Sequence, residues 1–213
     1  MKRFIHVLII FLLFTLINCK TVIIPPKVDV SLIEKLAVLP FTGSYTYAEI
    51  GRKLADGIVI EFSMRPINFE VLDPGIVDSA LRNTDISMFI TIDPTKIGEY
   101  LKVSTLLMGR IEEFLIPPPR VSGPYFDKKA QKNRYKIEQE SVLSVTFRVI
   151  DVKTGNVLFA NREVTSIYQY DYYYEDEEVP VLDMSPYEIE RELIRRTAYK
   201  IARNFYPYKS FTF

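Results

Sequence analysis

The stretch that most limits what this chain can become is Leu16-Ile17-Asn18-Cys19, because it decides which residues are left to fold and in which compartment. Before it run Met1-Lys2-Arg3 and an apolar block from Phe4 to Leu16, interrupted only by His6 and Thr15. A basic start, an apolar core of that length and a polar break make a secretory signal. The block is too short for a bilayer span, which takes ~20 apolar residues. The break carries the only cysteine of the chain. No disulfide partner exists for it within the chain, so the exported domain must stand on its hydrophobic core.

Cleavage before the cysteine removes residues 1–18, and with them Lys2, Arg3 and His6. The balance of 27 basic and 27 acidic residues thereby loses two cations and stays close to neutral. A chain without basic excess has little to hold nucleic acid by its phosphates, and no nucleic-acid partner is expected. His6 is the only histidine, so the mature chain has no histidine, no free thiol and no tryptophan. That subtraction removes His-Cys metal sites, serine and cysteine nucleophiles activated by histidine and histidine acid-base steps. Carboxylate pairs remain, but Glu112, Glu113, Asp127 and the run Glu175 to Glu178 show no spacing that predicts two facing catalytic acids. We expect no enzyme, no metal and no cofactor.

The four residues at the break resemble the lipobox of bacterial lipoproteins, with Asn18 where Gly, Ala or Ser is usual. The resemblance implies that Cys19 is acylated, palmitate among its chains, and becomes the mature N-terminus held at a membrane. An uncleaved anchor or a plain secretory signal is the alternative, and either one exports the chain.

Residues 19–33 then read as a lipidated tether in which Pro25-Pro26 disfavour helix. An N-terminal strand over Thr21-Val22-Ile23-Ile24 is the competing reading. The domain proper is expected over residues 34–206. Lys35 to Phe41 is a nearly continuous apolar run closed by Pro40 and Gly43-Ser44, as in a strand buried on both faces. From Tyr47 the period changes: Ile50, Leu54, Ile58 and Phe62 recur every four residues, an amphipathic helix ending before Pro66. Phe69 to Leu72 predicts a second strand, and Asp73-Pro74 and Asp93-Pro94 each start a short helix. Val103 to Ile111 predicts a third strand, with Gly109 at a close backbone approach. Val142 to Val152 and Asn156 to Thr165 pair as a hairpin across Lys153-Thr154-Gly155. Ser185-Pro186-Tyr187-Glu188 is a capping box opening the last helix, whose stripe is Ile189, Leu193, Ile201 and Phe205. Residues 207–213 are read as a tail. The expected fold class is α/β of the mixed α+β kind: a mixed sheet covered by helices, with a long C-terminal helix.

This order of elements resembles the family of the curli-secretion lipoprotein CsgG, related to the peptidoglycan-synthase activator LpoB and the N-terminal domain of TolB. Lys35 to Phe41, Phe69 to Asp73, Asp93 to Ile111 and Val145 to Leu158 carry the likeness. It implies a domain at the periplasmic face of the outer membrane, in families that share a fold yet do different work.

Two inserts, about 114–141 and 166–183, do not fit that shared core. The first holds Pro117-Pro118-Pro119 and a basic group including Arg120, Lys128, Lys129, Lys132, Arg134 and Lys136. It reads as a long loop that meets anionic lipid or polymer, or as the solvated end of a hairpin. The second holds Tyr168, Tyr170 and Tyr172, which lie on one face of an extended strand. Tyrosine joins apolar area to a polar tip and suits interfaces; an amphipathic strand over the core is the plainer account. We therefore expect Tyr168, Tyr170, Tyr172, Arg120, Lys128 and Lys129 to bind an envelope protein partner of a membrane-anchored lipoprotein. A CsgG-like oligomeric secretion channel, which makes a homo-oligomer of the chain, and an LptE-like lipopolysaccharide-transport lipoprotein are the alternatives. Against the channel stand the prolines and charges of the first insert and the acid run after Tyr174, since barrel strands need ~9–11 alternating residues.

Overall fold

The computed structural model describes residues 20–83 and 93–212; Cys19 and the signal stretch lie outside the described residues. The chain is mixed α+β. It forms strands β1 (Lys20–Ile24) and β2 (Lys35–Val38), helix α1 (Ala48–Ser63), strand β3 (Glu70–Val71), and helices α2 (Pro74–Asn83) and α3 (Pro94–Leu101). Strands β4 (Thr105–Leu115), β5 (Arg120–Asp127), β6 (Lys132–Asp151) and β7 (Val157–Tyr174) follow, then helix α4 (Pro186–Ala202) and strand β8 (Tyr208–Thr212).

The main sheet runs β3-β2-β4-β6, with β7 along the other side of β6. Pairing is parallel among β3, β2 and β4 and antiparallel from β4 onward. Alternation in β2 and the residue after it sorts their side chains between two cores: Leu36 and Val38 join the larger one with α1 and α4, while Ala37 and, just past the strand, Leu39 join the smaller one with α2 and α3. Helices therefore cover both faces of the β2–β4 region. On the larger side Ile50, Leu54, Ile58 and Phe62 of α1 meet Ile189, Leu193 and Ile201 of α4, as their spacing requires. Phe62 and Phe205 close that layer edge to face, centroids 5.1 Å apart. Gly109 is placed where the close approach demanded a small residue: a Cβ there would come within 2.3 Å of the Phe41 ring.

The helix starts follow their signals. Asp93 accepts from the Thr95 amide at 3.1 Å, and Ser185 and Glu188 close a reciprocal capping box on α4. The chain ends differ from a free tether and tail. Lys20–Ile24 pairs antiparallel with Tyr208–Thr212, Ile24 opposite Tyr208. Just after β1, the amides of Lys27 and Val28 donate to the Asn204 carbonyl at 2.9 and 3.0 Å. Val28 is buried. Of the two readings of the N-terminal stretch, the strand is the one observed.

The first insert is a strand rather than a long loop. β5 pairs with residues 132–138 of β6 on the same side that β4 occupies lower down. Its direction continues that of β4, so Pro117-Pro118-Pro119 interrupts what is otherwise one strand; proline has no amide to give the ladder. The second insert prolongs β7 up to Tyr174, opposite Arg134. The two inserts are thus neighbours in one three-stranded extension, β5-β6-β7, that rises from the helix-covered core.

Candidate functional site

The extension has two unlike faces because its strands alternate. Inward go Tyr135, Ile137 and Gln139 of β6 and Ile167, Gln169 and Tyr173 of β7. Tyr135 and Tyr173 stack at 5.4 Å. The Gln169 amide donates to Gln139 Oε1 at 2.7 Å and to the Met184 carbonyl at 3.1 Å, and Gln139 donates to the Pro117 carbonyl. These bonds draw the chain before α4 and the proline run across the inner face of β6 and β7, whereas Val121 and Phe126 of β5, on the same face by register, stay 53% and 60% exposed.

The outer face stays open. Tyr168, Tyr170 and Tyr172 lie side by side, successive ring centroids 5.6 and 5.7 Å apart, and are 50%, 54% and 40% exposed. Cross-strand register sets a polar row against each ring. Arg120, Glu138 and Tyr170 stand in line across the three strands, as do Ser122, Lys136 and Tyr172, and Tyr125, Arg134 and Tyr174. The Arg134 guanidinium sits 3.7 Å above the Tyr172 ring, an attraction worth about 0.5–1 kcal/mol at an exposed site. Lys136 contacts Glu138 and donates to Tyr168 Oη at 2.5 Å; that hydroxyl donates to Glu138 Oε2 at 2.5 Å. Lys136 holds the Glu138 carboxyl below its ordinary range, with Tyr168 adding to the effect, while Glu138 first and Tyr168 second push the Lys136 amine up. The ladder is therefore fixed in place by charge from β6, which leaves little rotamer freedom to lose on contact.

The basic group of the first insert does not act as one patch. Lys132 is paired with Asp176 at 2.5 Å, and Asn133 bonds Glu175 at 2.8 Å. The acid run after Tyr174 folds back onto the tip and neutralises part of it. Lys128 and Lys129 occupy the β5–β6 turn, whose shape is held by Asp127 accepting from the amides of Lys129 and Ala130 at 2.8 and 3.2 Å. These bonds, with one from Tyr174, keep the Asp127 carboxyl below its ordinary range. Thus Arg120 shares the tyrosine face, whereas Lys128 and Lys129 belong to the exposed end of the hairpin. Residues that the sequence reading did not single out, Glu138 and Tyr125, join the face, and Arg134 and Lys136, read there only as part of a basic group, join it too. Their signal was a period of two running from Arg134 to Glu140, faint because Ile137 is the one aliphatic residue on its inner face, between Tyr135 and Gln139.

Most of the carboxylates named from sequence are bonded within their own surroundings. Glu112 on β4 accepts from the Thr146 hydroxyl at 2.8 Å, and Asp127 is engaged at the tip. Among the described residues no three His, Cys, Asp or Glu side chains converge as metal ligands, and no helix is long and apolar enough to cross a membrane.

No family model and no curated protein matches the chain. Among solved structures it is similar to a PelC dodecamer from Paraburkholderia phytofirmans, with 12% identity, 89% of this chain and 98% of that chain covered, and a TM-score of 0.43. It is also similar to lipoprotein GNA1162 from Neisseria meningitidis, at 13% identity, 79% and 98% coverage and a TM-score of 0.44. The LpoB C-terminal domain from Salmonella enterica is similar at 8% identity, 67% and 84% coverage and a TM-score of 0.38.

Proposed function

We propose that this chain is a non-enzymatic lipoprotein of the bacterial envelope, anchored through acylated Cys19 in the outer membrane with its domain facing the periplasm. It binds a protein partner through the outer face of the β5-β6-β7 extension. The observation that carries this reading is the row Tyr168-Tyr170-Tyr172, half exposed yet pinned by Arg134 and Lys136. A ladder of aromatic rings held rigid beside charges is the composition of an interface centre, and burying it in the core would have needed no cations above the rings. Arg120 lies in the same row and supplies a rim charge. Lys128 and Lys129 at the tip act, on this reading, only at the edge of the contact.

The test uses the full chain extracted from membranes in mild detergent. Fatty-acid label on the protein, absent from Cys19→Ser, supports the anchor. A defined protein that co-purifies with the chain and is lost from the Tyr168→Ser/Tyr170→Ser/Tyr172→Ser variant, with thermal stability kept, supports the face. A discrete ring-sized oligomer of the chain alone would instead favour the channel subunit, and would overturn the adaptor reading.

A further inference from the structure

A second site lies below the tyrosine face, where α4 ends against β7 and β8. A cleft of about 230 Å³ is lined by Lys27, Arg196, Tyr199, Lys200, Arg203 and Tyr208, with Glu163 the one carboxylate in its wall. The cations arrive from distant parts of the sequence: Lys27 follows β1, and the others come from the last turns of α4 and the residue after it. Lys200 and Arg203 would suit a helix C-terminus in any protein, where cations answer the helix dipole. That does not account for Lys27, which is brought here by its own amide and that of Val28 bonding to Asn204. Neither Lys27 nor Arg203 has an ion-pair partner among the described residues. Arg203 lies over the Tyr208 ring at 4.3 Å and beside Tyr199 at 5.9 Å, so its charge is held over an aromatic wall rather than spent on a carboxylate. Arg65 flanks Tyr199 at the same 5.9 Å but is paired with Glu61 at 4.0 Å.

We infer that this cleft binds a phosphate-bearing anion, and that the anion is the headgroup of an acidic phospholipid. Arg196 is engaged by Glu192 at 2.7 Å and Lys200 donates to the Val164 carbonyl at 2.6 Å, so Lys27 and Arg203 are the cations left to meet a ligand. Two donors facing one concave site suit a phosphate better than a single carboxylate, and the tyrosine walls offer apolar surface to the start of the acyl chains. The lipid source rests on the anchor proposed above. Tyr208 at the cleft pairs with Ile24, and from Ile24 the strand leads back five residues to Cys19, about 17 Å of extended chain. A lipid on Cys19 brings the cleft to the headgroup layer, where each nearby cation strengthens binding to acidic lipid. The bound headgroup would then fix how the domain stands on the membrane.

The experiment is native mass spectrometry of the full-length protein in neutral detergent, titrated in turn with phosphatidylglycerol, phosphatidylcholine and inorganic phosphate. One phosphatidylglycerol per chain is expected, with no retention of phosphatidylcholine or inorganic phosphate. Lys27→Ser/Arg203→Ser should weaken it about thirtyfold, and Lys128→Ser/Lys129→Ser, which removes the same charge from the tip, should not. Inorganic phosphate bound as tightly as the lipid would overturn the headgroup assignment. Equal retention by the Lys27/Arg203 variant would overturn the cleft. The protein mass in the same spectra reports acylation of Cys19, so failure of the anchor is read separately from failure of the cleft.

Discussion

In the lower half of the β6–β7 hairpin, Leu143, Val145, Phe147 and Val149 turn inward and are at most 1% exposed; in the upper half, Tyr168, Tyr170 and Tyr172 are 40% to 54% exposed. The same two strands carry both sets, and the backbone ladder between them runs from Arg134 to Ile150. What differs is the face and its cover: the first set points inward, and the inner residues Ile137, Gln139 and Ile167 of the upper half are buried as well, whereas the tyrosines point outward. Below, α4 lies on the inner face, and Thr197 on the helix reaches Thr165 on β7 with a hydroxyl bond of 2.9 Å. Above, only the stretch around Met184 and the proline run reach the inner face, and no described element lies on the outer one. Apolar residues suit the first setting and tyrosine the second, because a ring with a hydroxyl tolerates water until a partner removes it. One long hairpin thus serves as core along its inner face and as a presented surface on the outer face of its far end.

The contrast can be broken most sharply from below. Phe147→Ala empties a sealed site and should cost about 3–5 kcal/mol, read as a lower urea midpoint; a loss under about 1 kcal/mol would mean the lower half is not the core. Next comes the buried hydroxyl pair. Thr197→Val leaves the Thr165 hydroxyl unpaired and should cost about 1–3 kcal/mol, and adding Thr165→Val should recover most of it; strict additivity in that cycle would contradict the bond. In the upper half the same kind of truncation should do much less to the fold. Arg134→Ala removes the cation above Tyr172 and should lower stability by about 0.5–1 kcal/mol while weakening partner binding. A drop as large as that of Phe147→Ala would make the tyrosine row a structural feature.

The smallest effect concerns the exposed side of α4. Arg195 first, with Arg196 beside it, holds the Glu192 carboxyl down to about 2, from an ordinary 4.5. A depressed carboxylate contributes stability above its unfolded value and loses it as the pH falls through the folded one. Glu192→Gln should therefore be less stable than the parent above about pH 4.5, and the gap should close as the pH drops toward 2. The pair is partly solvated, so the gap is a few tenths of a kcal/mol. A gap that persists unchanged at pH 2 would rule out the ion pair as its source.

The helices were legible in the sequence because one cause set each of them. The four-residue spacing of Ile50 to Phe62 and the capping box at Ser185 act locally, and α1 and α4 formed where they pointed. The order of the early strands was legible from apolar runs in the same way. A strand over Thr21 to Ile24 was weighed against a tether, but its pairing with β8, read as a tail, was not legible, since it joins the two ends of the described chain and no local spacing encodes a contact that distant. The upper hairpin was half legible. Tyr168 to Tyr172 declared their common face by parity, whereas Lys132 to Glu140 resembled a charged loop because Tyr135 and Ile137 alone, among seven polar neighbours, give too little apolar contrast to mark a period of two. Only pairing with β5 and β7 gives those residues an inside and an outside.

The most direct test of a presented tyrosine face uses parity within one strand. A photo-crosslinking residue is placed at Tyr170, which points outward, or at Tyr173, which stacks inward on Tyr135, in the full-length protein in living cells. We predict a discrete crosslinked protein adduct at Tyr170 and none at Tyr173, with the adduct lost when Tyr168 and Tyr172 are changed to Ser. Equal adducts at both positions, or none at Tyr170, would contradict the assignment of this face as the partner-binding surface.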